Sequence, residues 1–241
     1  MHFGHLQGEI NGSFQSDIYF FILFDNYFVC FLPSIEKVKI VLEIKNIRKS
    51  FSSNCVLDDI SCNFSKGKII ALLGQNGSGK TTFLKCLGNI MNIDSGQIDY
   101  NNSNFIFIND KPNIFGDLTI YENLRYILSI YNQKFDSDKY QKSIKDLGLK
   151  SMQSIPLKHL SAGNIQRNKI LIALNTNWEY LFIDEPFSNL DKEGSIIVKE
   201  IFLGLKNQNK TILFSTHNFI HISDICDMSF QIKGGKFSNH D

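Results

Sequence analysis

Residues 68–82 read KIIALLGQNGSGKTT, and the fold is decided there. The first six residues are nearly all apolar, which predicts a strand buried on both faces. The next nine, Gly74, Gln75, Asn76, Gly77, Ser78, Gly79, Lys80, Thr81 and Thr82, fit the pattern GxxxxGK[ST]. Residues 81–90 then predict a helix with Phe83, Leu84, Leu87 and Ile90 along one side. Strand, glycine-rich loop and helix in that order make a phosphate cradle. The glycines let backbone N–H groups turn inward around phosphate oxygens, and the helix beginning near Gly79 adds the positive end of its dipole. Lys80 would reach the β- and γ-phosphates, and the Thr81 hydroxyl would ligate Mg²⁺. The implied ligands are ATP and Mg²⁺. A plain glycine-rich turn is the competing reading, and the flanking strand and helix argue against it.

Outward from this stretch, short apolar runs alternate with helical patterns, as in an α/β domain. Strands are expected at 40–47, 60–64, 105–108, 180–183 and 211–215, whereas helical patterns fill about 115–170 and predict an inserted helical lobe. The domain is expected to span 40–241. The run at 180–186, YLFIDEP, ends an apolar strand on Asp184, which can hold the Mg²⁺ shell. Glu185 follows, placed to polarise an attacking water. A DE pair after a strand is ordinarily a solvated strand end; downstream of a phosphate loop it reads as catalytic.

Composition narrows the partners. A net charge of +1 argues against a large nucleic-acid surface, which needs concentrated Lys and Arg. Five scattered cysteines without a CxxC pair point to free thiols in a reducing compartment. His217 and His221 stand four apart as a metal pair would, but no third ligand is evident. Residues 1–39 differ from the rest. Their aromatic stretch at 18–33, IYFFILFDNYFVCFLP, carries Asp25 and is shorter than the roughly 20 apolar residues of a spanning helix. No Lys or Arg precedes Lys37, so a signal peptide lacks its basic start. The segment reads as an extension outside the domain, either an extra packing segment or upstream sequence translated from a misplaced start. A chain beginning near Val38 is expected to fold and hydrolyse ATP.

Residues 160–164, LSAGN, followed by Ile165, Gln166 and Arg167, lie between the two phosphate-site motifs. On its own, LSAGN is a helix N-cap at Ser161. In this context the chain resembles the nucleotide-binding subunits of ATP-binding cassette transporters, whose signature is LSGGQ followed by QR. Ala162 and Asn164 depart from it. The resemblance implies a P-loop NTPase with a RecA-like, mostly parallel sheet, an antiparallel β subdomain and an inserted helical subdomain. It implies that Ser161 and Gly163 contact the γ-phosphate held by the opposite subunit, that Phe51 stacks on adenine, that 188–191 (SNLD) crosses the dimer interface, and that His217 is the switch histidine at the γ-phosphate. Where the family has its Mg²⁺-linking Gln, this chain has Asp110 with Asn109 beside it, and either could still ligate Mg²⁺ through oxygen. The implied partners are a second ATPase subunit, as homodimer or heterodimer, and an integral membrane permease, with no nucleic acid. The implied location is the cytoplasmic face of the inner membrane. The compact core with LSAGN and DEPFSNLD most resembles the ATPase subunit of the haem exporter of cytochrome c maturation. An exporter of a lipid, a drug or a polysaccharide is the rival, and a non-transport ATPase of the same type is the more distant one.

Overall fold

The computed structural model describes residues 20–24, 27–31, 40–109 and 115–239, and the chain divides into two compact units, Met1–Val38 and Lys39–Asp241. The described part of the first unit is a two-stranded antiparallel hairpin, β1 (Phe20–Phe24) and β2 (Tyr27–Phe31), with Phe20 opposite Phe31. No helix among the described residues is long and apolar enough to cross a membrane.

The second unit opens with β3 (Ile40–Phe51) and β4 (Asn54–Ser65), then β5 (Ile69–Leu73), α1 (Lys80–Leu87), β6 (Ser95–Asp99) and β7 (Phe105–Ile108). Three helices follow, α2 (Ile120–Ile130), α3 (Ser137–Asp146) and α4 (Ala162–Asn175). The chain closes with β8 (Tyr180–Ile183), α5 (Lys192–Asn207), β9 (Thr211–Ser215), β10 (Met228–Lys233) and β11 (Lys236–Asn239). Six strands form one sheet in the order β11-β10-β5-β9-β8-β7, parallel throughout except for the β10–β11 pair. A second, antiparallel sheet has the order β4-β3-β6. The chain is thus an α/β fold with a mostly parallel sheet, an antiparallel sheet and helices.

Strand β5 shows why the layers stack this way. All five of its residues are buried, and because successive side chains point to opposite faces it feeds two cores. Ile69, Ala71 and Leu73 join a cluster that holds Leu124 of α2, Ile144 of α3, Ile170 of α4 and Phe202 of α5. Ile70 and Leu72 join the cluster of Phe83 and Leu87 from α1 with Leu42, Ile44 and Phe64 from the antiparallel sheet. Helix α2 starts on a capping box, with Thr119 N donating to Glu122 Oε2 at 2.8 Å and Glu122 N donating to Thr119 Oγ1 at 3.3 Å.

Helix α1 ends earlier than its apolar spacing suggests. It stops at Leu87, where Gly88 N donates to Leu84 O at 2.8 Å and Asn89 turns into the left-handed region at φ 53°. A Cβ at Gly88 would stand 2.5 Å from the Phe107 side chain, so only glycine lets the helix end lie on β7. Ile90, expected on the buried side, is 62% exposed as a result. Among the described residues of this unit, three strands carry no mark in the sequence reading: β6, β10 and β11.

Candidate functional site

The parallel register brings three strand ends together. Leu72 of β5 and Ser215 of β9 are partners, and so are Ile183 of β8 and Phe214 of β9. Gly74, Asp184 and Ser215 therefore emerge side by side at the carboxyl edge, where open α/β sheets form their binding crevice. Gly74 has φ 146°, and a Cβ there would lie 2.5 Å from Ser78 Oγ and 2.8 Å from Ile232 O. Gly79 caps α1 at φ 109° and packs against Val56. These two glycines fold residues 74–79 into a tight loop, closed by Ser78 N donating to Gln75 O at 3.1 Å.

Lys80 is buried, and its ammonium lies over the loop it follows, donating to Gly74 O at 2.7 Å and to Gln75 O at 3.2 Å. Thr81 Oγ1 donates to Asp184 Oδ2 at 2.7 Å, and Ser215 Oγ donates to Asp184 Oδ1. Asp184 is 3% exposed, yet among the described residues its hydrogen-bond partners are hydroxyls and no Lys or Arg pairs with it. A buried carboxylate without a cationic partner is costly unless a metal serves as one, and a carboxylate beside a hydroxyl is a hard-oxygen donor pair of the kind Mg²⁺ takes. The residues present fit that ion. Asn76, Gly77, Gly79, Lys80, Thr81 and Thr82 line a cleft of about 320 Å³ together with Asp184 and Glu185.

Glu185 is held in an unusual backbone conformation, φ 47°. Its N–H donates to Ser215 Oγ at 3.0 Å, and its carbonyl accepts from Gln166 Nε2 at 3.1 Å and from Ser188 Oγ at 2.9 Å. The carboxylate oxygen Oε2 lies 3.0 Å from His217 Nδ1. The expected water-polarising carboxylate and the expected switch histidine thus touch each other, with Glu185 lining the cleft.

The signature residues are elsewhere. Ser161 caps α4, accepting from Asn164 N at 3.3 Å. Gly163 lies so close to the chain that a Cβ would stand 2.9 Å from Asn189 O. Ser161, Gly163, Arg167 and Asp191 line a separate opening of about 380 Å³, so one chain does not bring them to Lys80. Phe51 ends β3 at 46% exposure, with Lys49 Nζ 5.8 Å from its ring centre, and it does not line the Lys80 cleft. Asp110 lies outside the described residues.

Sequence reasoning assigned no role to Ser215, Gln166 or Lys169. Ser215 ends a buried strand after Ile212, Leu213 and Phe214, and only the register puts it against Asp184. Gln166 and Lys169 do carry a signal: two polar residues three apart share a helix face, and this one is buried.

The family model described as "ABC transporter" matches residues 57–188. A phosphonates import ATP-binding protein of Fusobacterium nucleatum is 28% identical over 81% of this chain and 90% of its own length. An uncharacterized ABC transporter ATP-binding protein of Methanocaldococcus jannaschii is 30% identical, covering 81% of this chain and 75% of its own. The solved structure of an ATP-binding subunit of an ABC transporter superposes with a TM-score of 0.72 at 26% identity, over 82% of this chain and 88% of that one. Names at 27–28% identity diverge: lantibiotic transport in Streptococcus pyogenes, lipopolysaccharide export in Haemophilus influenzae, and cytochrome c biogenesis export in Vibrio cholerae.

Proposed function

The chain belongs to the ABC transporter family as an ATP-binding ATPase, and from that premise we propose that two such subunits sandwich two nucleotides and drive a membrane permease. The observation that carries this reading is the separation of two half-sites. Lys80, Thr81, Asp184 and Glu185 meet in one cleft, while Ser161 and Gly163 present capping geometry in another. Each half lacks what a second subunit would supply.

In this reading the N–H groups of residues 74–79 and the Lys80 ammonium bind the phosphate tail, and Phe51 meets the adenine. Thr81 and Asp184 would hold Mg²⁺, aided by Asp110, and when bound that ion offsets charge on the terminal phosphates. Glu185 takes the proton of the water that attacks the γ-phosphorus, the bond to the β–γ bridging oxygen breaks, and ADP leaves with that oxygen. His217, already bonded to Glu185, orients the carboxylate and meets the γ-phosphate. Ser161 and Gly163 of the second subunit close the site from the far side, using the N-terminal end of α4.

The domain takes in residues 40–241, with its helical lobe at about 115–170, and docks on a permease at the cytoplasmic face of the inner membrane. The second subunit is either another copy or a related chain. The cargo rests on less. Haem export for cytochrome c assembly is supported by the compact core, by LSAGN and DEPFSNLD, and by a relative named for cytochrome c biogenesis. Relatives named for phosphonate import, lantibiotic transport and lipopolysaccharide export support other cargoes equally. A tagged chain purified from detergent-solubilised membranes, with its partners identified by mass spectrometry, tests the reading. A multi-span permease accompanied by cytochrome c assembly factors is the result expected for haem export, and another permease would replace the cargo. Ribosomes or DNA-bound proteins without a membrane protein would overturn the transport role.

A further inference from the structure

The Glu185 carbonyl is fixed by a side chain from the signature helix. Gln166 Nε2 donates to it at 3.1 Å, and Lys169 Nζ donates to Gln166 Oε1 at 3.1 Å. Gln166 is 1% exposed and Lys169 4% exposed, so water does not compete for the amide. With its oxygen taken by an ammonium, the Gln166 amide has one orientation left, NH₂ toward Glu185. Two further contacts join the same helix to the segment after Glu185. Gly163 lies against Asn189 O, and Arg167 Nη2 donates to Asp191 Oδ1 at 3.1 Å. The first two turns of α4 and residues 185–191 are therefore fastened as one body.

We propose that Gln166, oriented by Lys169, is a positioning residue for Glu185, and that through it α4 couples nucleotide engagement at Ser161 and Gly163 to carboxylate placement in its own subunit's cleft. This rests on the two-subunit reading above. A helix is stiff over one turn, so any displacement of Ser161 toward a second subunit's nucleotide moves Gln166 and the carbonyl it holds. Glu185 sits at φ 47°, a region sparsely allowed to residues with a Cβ. With its N–H held by Ser215 Oγ, a shift of its carbonyl rotates the residue and moves the carboxylate relative to His217 Nδ1. The carboxylate in one cleft then reports on whether the other cleft is filled, which is a coupling between two nucleotide sites.

A packing role for Gln166 and Lys169 makes a different prediction. Gln166→Glu keeps the volume and keeps an acceptor for Lys169, but sets an acceptor against the Glu185 carbonyl. Gln166→Met keeps the volume and removes the donor. Steady-state ATP hydrolysis by the purified full chain, read beside the Kd of a fluorescent ATP analogue, separates the roles. Both variants should lose about tenfold in kcat, with Kd unchanged, and their Hill coefficient for ATP should fall toward that of independent sites. Lys169→Arg should retain the native kcat, and Lys169→Met should lose part of it. Native kcat and cooperativity in the Gln166 variants would overturn the proposal, as would a loss of kcat that only tracks a loss of Kd or of thermal stability. If neither Gln166 variant folds, native behaviour in Lys169→Met overturns it instead. A native chain without ATP turnover would bring down the ATPase mechanism as well, whereas native turnover with indifferent variants removes the coupling alone.

Discussion

At the scale of the residue, the site depends on backbone that turns where a side chain would block it. Gly74 is the clearest case, with φ 146° and a Cβ position 2.5 Å from Ser78 Oγ and 2.8 Å from Ile232 O. Gly74→Ala adds both strain and overlap, and should cost about 1–3 kcal/mol of stability. Urea unfolding of the two chains measures it, and equal midpoints would mean the loop relaxes without cost. Asp184 and Glu185 were legible in the sequence because they stand where an apolar run stops, and Lys80 because it closes the GxxxxGK[ST] pattern after one. Ser215 was not, since a hydroxyl at the end of a buried strand looks the same whether it faces a carboxylate or the strand's own end. Phe51 is an exposed aromatic with Lys49 Nζ 5.8 Å from its ring centre, and nothing around it among the described residues marks it for a base.

At the scale of the element, capping ties the helices to the site. Asp191 caps α5, accepting from Gly194 N at 2.7 Å, and also receives Arg167 of the signature helix. The Gly194 N–H, and after it the Arg167 guanidinium, hold the Asp191 carboxyl below the ordinary aspartate value of 3.8. A carboxylate whose pKa is depressed by folding stabilises the fold fully above its unfolded value, and that contribution fades as pH falls through the folded one. The Gly194 amide resonance should therefore titrate with a midpoint below 3.8, and Asp191→Asn should abolish the transition. A midpoint at or above the ordinary value would show that the cap does not favour the charged form. Strands β5, β8 and β9 were legible because strands buried on both faces read as unbroken apolar runs. Strand β6, SGQID, was not, because it is an almost wholly exposed edge strand with no apolar face to mark it. The end of α1 was misjudged because a close approach of Gly88 to β7, and not the apolar spacing, stops the helix.

At the scale of the whole molecule, the mostly parallel sheet gathers the phosphate loop, Asp184, Glu185 and His217 at one edge, while α4 holds Ser161 and Gly163 in another cleft. The order of motifs along the chain made the fold and family legible, since each motif has its structural context on both sides. A pairing of half-sites across two chains was readable only through the family resemblance, because every contact in it would be intermolecular. Cargo was illegible, since relatives at 27–28% identity carry names for different cargoes. Phosphate release from MgATP by the purified chain, measured beside Lys80→Ala and Glu185→Gln, tests the central claim most directly. Steady turnover by the native chain, falling by at least about a hundredfold in both variants, is the predicted result. Turnover that survives Lys80→Ala undiminished would contradict the account, because the cleft built around that ammonium would then not be where ATP is hydrolysed.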